Sequence, residues 1–146
     1  MTAAREPKEG KAPPTRVEIV FDGGSLGNPG KGYGSYQLRI GDEPPTLGRR
    51  EFGPRLTNNQ AEYMALIAGL EGAVAQLEKE GRSPRDTHLE VRGESKLVLE
   101  QVQGHWKVNH VHLRPLCDTA KALVGQFGTS KLIWHPRARS VAILGH

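Results

Sequence analysis

The chain has 146 residues, 36% of them hydrophobic, with 20 Lys and Arg against 16 Asp and Glu for a net charge of +4. This is enough for one domain with an ordinary core, and a single cysteine, Cys117, excludes an internal disulfide framework. No apolar run reaches the length of a membrane span and no signal-like segment opens the chain, so the sequence reads as a cytoplasmic protein with no membrane partner, whose modest basic excess favours a polyanionic one.

Residues 1–16, rich in Ala, Pro, Lys and Glu without apolar periodicity, read as a disordered arm ahead of a single domain at 17–146. Val17, Ile19 and Phe21 alternate at strand spacing and deliver Asp22 to the strand's carboxyl end. Gly23, Gly24, Gly27 and Gly30 then form a glycine-dense turn in which backbone amides and Asn28 could meet a bulky polyanion. The run fits neither a Walker loop nor a dinucleotide fingerprint, because Gly30-Lys31 lacks its hydroxyl neighbour and another strand, about 32–40, follows instead of a helix. The turn Gly41 to Pro45 leads to a third strand ending near Gly53, which completes an antiparallel meander.

Thr57 and Gln60 have the spacing of a capping box, and Tyr63, Leu66, Leu70, Val74 and Leu77 mark one stripe of a helix running to about Lys79. Glu62 lies beside that stripe in the first turns. Thr87 to Arg92 reads as a strand, after which Glu94 repeats the placement of Asp22 and Ser95 caps a helix through Leu97, Val98 and Val102. Trp106 and Lys107 sit in a loop suited to a sugar or a phosphate. A further helix carries Leu113, Leu116, Cys117, Ala120 and Leu123, with Pro115 in its first turn. Lys131 to Trp134 forms a last strand before His135. One thiol and irregularly spaced His105, His110 and His112 argue against a zinc site.

Asp22 in FDGGSLGNPG, Glu62 in LTNNQAEYMAL, Glu94 in RGESKLVLEQVQGHWKV and the tail WHPRAR, in that order and spacing, resemble type 1 ribonuclease H, in its short bacterial and archaeal branch without a basic protrusion. The resemblance implies an α/β fold with a five-stranded mixed sheet ordered 3-2-1-4-5 and helices on both faces. It also implies endonucleolytic cleavage of the RNA strand of RNA/DNA hybrids with two Mg2+ ions, Mn2+ being an alternative. By position, Asp22, Glu62 and Glu94 would be the catalytic and metal-binding acids, and Gly23, Ser25, Asn28, Asn58, Asn59 and Gln60 would line the hybrid groove, with Trp106 and Lys107 as further substrate contacts.

The pattern departs from the family at two places. The third acid, ordinarily Asp, is Glu94. In the tail the family's Asn aligns with Ser140 and its fourth acid with Leu144, while Val141 to Leu144 is an apolar, strand-prone run. The terminal helix is therefore expected to be missing, with this run docked on the sheet or pairing with a second copy, which would give a monomer or a weak homodimer. Three acids could suffice, or the carboxylate or imidazole of His146 could reach the fourth position. His135 is read as structural. The alternative to a nuclease is a weakened or inactive protein that binds hybrids or double-stranded RNA. A DNA resolvase or integrase is disfavoured by the Asn58-Asn59 pair and the glycine-rich segment.

Overall fold

A computed structural model of the protein describes residues 13–145, so most of the expected arm and the idea about His146 lie outside the described residues. The chain runs β1 (Thr15–Gly27), β2 (Gly30–Ile40), β3 (Thr46–Leu56), α1 (Asn58–Lys79), a single 3-10 turn (Pro84–Asp86), β4 (Thr87–Gly93), α2 (Lys96–Val102), α3 (Arg114–Val124), β5 (Thr129–Trp134) and α4 (Arg137–Leu144). The five strands form one sheet in the order β3-β2-β1-β4-β5, antiparallel across the meander and parallel at β1–β4 and β4–β5, as the resemblance implies.

Local chemistry accounts for the elements that carry the site. Val17, Ile19 and Phe21 alternate into the core, where Tyr63, Leu66 and Leu70 of α1 meet them. Thr57 caps α1: its hydroxyl accepts from the Gln60 N–H at 3.1 Å, and the Gln60 side-chain Oε1 accepts from the Thr57 N–H at 2.9 Å. Both bonds fix where the helix starts, and hence where Glu62 points. Ser95 caps α2 in the same way, accepting from the Val98 N–H.

Three expectations need correction. Asp22 does not end its strand. β1 continues through the glycine-dense segment to Gly27, paired residue for residue with β2, so this segment is one arm of a hairpin that turns at Asn28 and Pro29. The strand also begins at Thr15, two residues inside the expected arm.

The terminal helix is present. Arg137–Leu144 forms α4, begun by Pro136 in extended geometry and closed by Gly145 at φ 81°. The apolar run looked strand-prone by composition, but tertiary anchors decide it: Ser140 and Leu144 are buried at helical spacing, while Val141 is 41% exposed. Gly145 supplies the left-handed residue on which many helices end. The run therefore docks on the sheet as a helix, touching β1 and β2.

The helices lie on both faces of the sheet. A Cβ at Gly34 would meet Ala65 of α1, so Gly34 faces that helix; its neighbours Tyr33 and Ser35 face the other way, toward Arg137 of α4.

Candidate active site

Strand register brings two acids side by side. β1 and β4 run parallel with Phe21 opposite Gly93, the last pair of that ladder, so the residue that follows each is an acid, Asp22 after Phe21 and Glu94 after Gly93. Asp22 is buried and lies opposite Ser35 of β2. Glu94, just beyond the end of β4, keeps its side chain 17% exposed.

Glu62 reaches the same place from α1. Its Oε1 accepts from the Gly23 N–H at 3.0 Å. This contact depends on glycine, because a Cβ at position 23 would collide with the Ala61 carbonyl and push the helix off the strand. Burial, and then the charge of Asp22, push the Glu62 carboxyl up to about 8; Glu94 adds to the shift, while the Gly23 N–H and Arg137 oppose it. Glu62 thus feels both other acids, which means that the three carboxylates share one field.

The donor set suits a hard divalent cation, for which oxygen ligands are preferred. Glu94 Oε2 is buried with no hydrogen-bond partner, an unmet acceptor within that field. Among the described residues no three His, Cys, Asp or Glu side chains close into a ready ligand cage, so a cation would have to draw the acids together.

Two further residues stand beside the acids, one of which, Arg137, was given no role in the sequence reading. Arg137 Nη1 lies 3.5 Å from Glu94 Oε1. The quoted tail motif contained this arginine, and the register of a helix beginning at Pro136 would have aimed it back at the site. His135 is buried; its Nε2 stands 2.7 Å from Ser140 Oγ, and its backbone N–H donates to the Gly93 carbonyl, so it ties the start of α4 to the end of β4. Burial and the nearby Arg139 lower its pKa, which keeps the imidazole neutral. This geometry is structural, as the sequence suggested.

The expected groove residues fall into a wired group and a looser one. Asn58 Oδ1 accepts from both the backbone N–H and the hydroxyl of Ser25, at 2.9 and 3.0 Å, and the Asn58 N–H donates to Asn28 Oδ1 at 3.0 Å. These bonds stitch the β1–β2 hairpin to the start of α1. Gln60 serves mainly as the cap of α1, while the exposed Asn59 carries no side-chain hydrogen bond among the described residues.

Trp106 and Lys107 are exposed in the loop after α2. The buried Gln101 holds that loop: its Nε2 donates to the Lys107 carbonyl at 3.0 Å, and its Oε1 accepts from the Tyr63 hydroxyl at 2.7 Å. Nothing in sequence spacing marks Gln101, because Tyr63 lies 38 residues away and its nearer partner is a backbone carbonyl. Two grooves of ≈ 390 and ≈ 570 Å³ meet at Asn59, His110 and Leu113, and together they run from Asn28 past Asn58 to Trp106.

The family model described as reverse transcriptase-like matches residues 45–143. The crystal structure of RNase H1 from the halophilic archaeon Halobacterium salinarum is 38% identical, superposes with a TM-score of 0.74, and covers 88% of this chain and 93% of that one. This chain belongs to the ribonuclease H family. The N-terminal RNase H domain of rv2228c from Mycobacterium tuberculosis, solved as a fusion with maltose binding protein, is 40% identical with a TM-score of 0.75, over 88% of this chain and 87% of that one. LC11-RNase H1, solved in complex with an RNA/DNA hybrid, is 26% identical with a TM-score of 0.75, over 86% and 89% of the two chains. The chain spans 32% of the length of the full-length mycobacterial relative, the bifunctional protein Rv2228c, at 43% identity. It spans 63% of Halobacterium ribonuclease HI, at 37% identity.

Proposed function

We propose that this ribonuclease H domain hydrolyses the RNA strand of RNA/DNA hybrids, using divalent cations held by Asp22, Glu62 and Glu94. The observation that carries the reading is the shared field of these three acids, in which Glu62 is raised to about 8, at the head of a groove lined by Asn28, Asn58 and Asn59. Mg2+ suits this donor set, and Mn2+ is an alternative. When bound, two such ions supply an activated water and stabilise the departing 3′ oxygen, so no protein nucleophile is needed.

The chain's own residues prepare the site for that chemistry. The Gly23 N–H fixes the orientation of Glu62, and Arg137 offsets part of the negative field around Glu94 and Glu62. Asn58 locks the hairpin at Ser25, which sets the backbone of residues 23–25 beside the acids. Asn59 retains a free amide to present to the minor groove, where 2′-hydroxyls distinguish RNA from DNA. Trp106 and Lys107, steadied by Gln101, offer a stacking face and a cation to the companion strand.

A second reading, a hybrid or double-stranded RNA binder with little catalysis, is favoured by one observation. Leu144, aligned with the family's fourth acid, is buried and apolar. A cleavage assay on hybrid, double-stranded RNA, single-stranded RNA and duplex DNA, in Mg2+ and in Mn2+, separates the two readings. Selective cutting of the RNA in the hybrid supports the nuclease. Tight hybrid binding without cutting in either metal would favour the second.

A further inference from the structure

On the α4 side of the sheet, one strand beyond Asp22, lies a pocket of ≈ 540 Å³ that the nuclease reading leaves unused. Its walls include Tyr33 and Ser35 of β2, Arg49, Arg50 and Glu51 of β3, and Arg137 of α4. Arg49, Glu51 and Arg137 reach it with their side chains, two guanidiniums to one carboxylate, whereas Arg50 pairs with Gly34 and turns to the α1 face, over the Tyr36 ring. Among the described residues Arg49 forms no ion pair, although Glu51 is at hand. The Arg49 carbonyl accepts from the Arg50 guanidinium at 3.0 Å. Among the described residues the closest carboxylate contact of Arg137 is the 3.5 Å one to Glu94, longer than the roughly 2.7–2.9 Å of a formed charge-assisted bond.

Register fixes the distance to the acids. Asp22 pairs with Ser35, and Ser35 pairs with Arg49. Two strand spacings, roughly 10 Å, separate the Asp22 and Arg49 backbones, and Arg137 bridges the interval from the Glu94 side. An anion here would lie on the far side of the acids from the groove of Asn58 and Trp106. Guanidinium forks match phosphate oxygens in geometry and charge.

We propose that Arg49 and Arg137 form a second phosphate site, which takes a phosphodiester of the RNA strand after it has passed the acids. This rests on the nuclease reading, since the strand lying on the acids is the one that can reach the pocket. The RNA continuing beyond its paired region then adds affinity through the pocket, and the companion DNA strand does not.

The test measures binding by fluorescence anisotropy in EDTA, with a fixed hybrid core whose RNA or DNA strand is extended at either end by a few unpaired nucleotides. For the wild-type chain, RNA extension at one end tightens binding several-fold. In R49A that gain disappears and the slope of log affinity against log salt falls by roughly one, while R49K keeps part of the gain and R50A, whose side chain lies on the other face, keeps all of it. Equal melting temperatures establish that the variants are folded. The proposal is overturned if RNA extension brings no gain, if R49A keeps the whole gain, or if only DNA extension helps. Saturable binding of inorganic phosphate that needs Arg49, with no response to RNA extension, would assign the pocket to a free anion and equally overturn it. Cleavage of the unextended hybrid by the wild-type chain is scored separately, so failure of this site and failure of the nuclease reading are distinct results.

Discussion

The two halves of the site are built differently. Where β1 meets α1, each contact is specified: Glu62 accepts from Gly23, Asn58 binds Ser25 twice and Asn28 once, and a capping box fixes the start of the helix. Where β4 meets α4, His135 ties the backbone to Gly93 and Ser140, but the carboxylate of Glu94 is held less closely. Arg137 stands 3.5 Å from Glu94, and the two buried side-chain atoms without a hydrogen-bond partner among the described residues, Glu94 Oε2 and His135 Nδ1, both lie here. One half is set before any ligand arrives; the other holds polar groups whose needs a ligand could meet.

The sharpest way to break the comparison is to remove the acid that joins the halves. E62Q is expected to lower hybrid cleavage by at least about a hundredfold, the scale on which small misplacements of catalytic groups act. The same change should stabilise the ion-free protein at alkaline pH. A glutamate titrates near about 4.3 in the unfolded chain, whereas folded Glu62 titrates at about 8. The folded state therefore holds that proton more tightly, and stability falls as pH rises through this window and stays low above it. Melting curves of wild type and E62Q should coincide near pH 4 and diverge toward pH 8, with E62Q the more stable.

The looser half can be sharpened instead. If a fourth carboxylate is what α4 lacks, L144D raises the hybrid cleavage rate by about tenfold or more, the value of a single well-placed charge. An unchanged rate in a folded variant places the limit elsewhere. On the wired half, N58A removes the acceptor that holds Ser25 twice. It should cost about 1 kcal/mol of stability and raise KM for hybrid several-fold, with a smaller effect on kcat, because the groove loosens while the acids remain.

The smallest effect lies away from the site. Arg16 and Arg92 hold the Glu90 carboxyl below its ordinary range, at 2.8 and 3.1 Å. Glu90 therefore contributes stability that is present above about pH 4.3 and lost as the pH falls through its lowered folded value. E90Q should flatten the acid limb of the stability curve without altering cleavage at neutral pH.

The legible elements were those with local signals, and they fall in both halves. The Thr57 to Gln60 spacing, the Tyr63 to Leu77 stripe and the Ser95 cap are local signals, and α1, β4 and α2 begin where those signals place them. The rest depended on tertiary packing that local spacing does not show. The glycines after Asp22 look like a loop until β2 is there to pair with them, and α4 looks like a strand until Ser140 meets His135 and Leu144 is buried. Gln101 carries no motif, since its role exists only once Tyr63 and the Lys107 carbonyl flank it. The cationic pocket was hidden for the same reason: Arg49 and Arg137 are 88 residues apart in the chain and meet only through the sheet and α4.

The most direct measurement follows the Glu62 carboxyl carbon by NMR across a pH titration, with and without Mg2+. The account predicts a midpoint at about 8 without the ion, driven well down into the acid range when Mg2+ is added, because a cation favours the ionised form. A midpoint in the ordinary glutamate range that Mg2+ leaves unmoved would contradict a shared, cation-binding field of Asp22, Glu62 and Glu94.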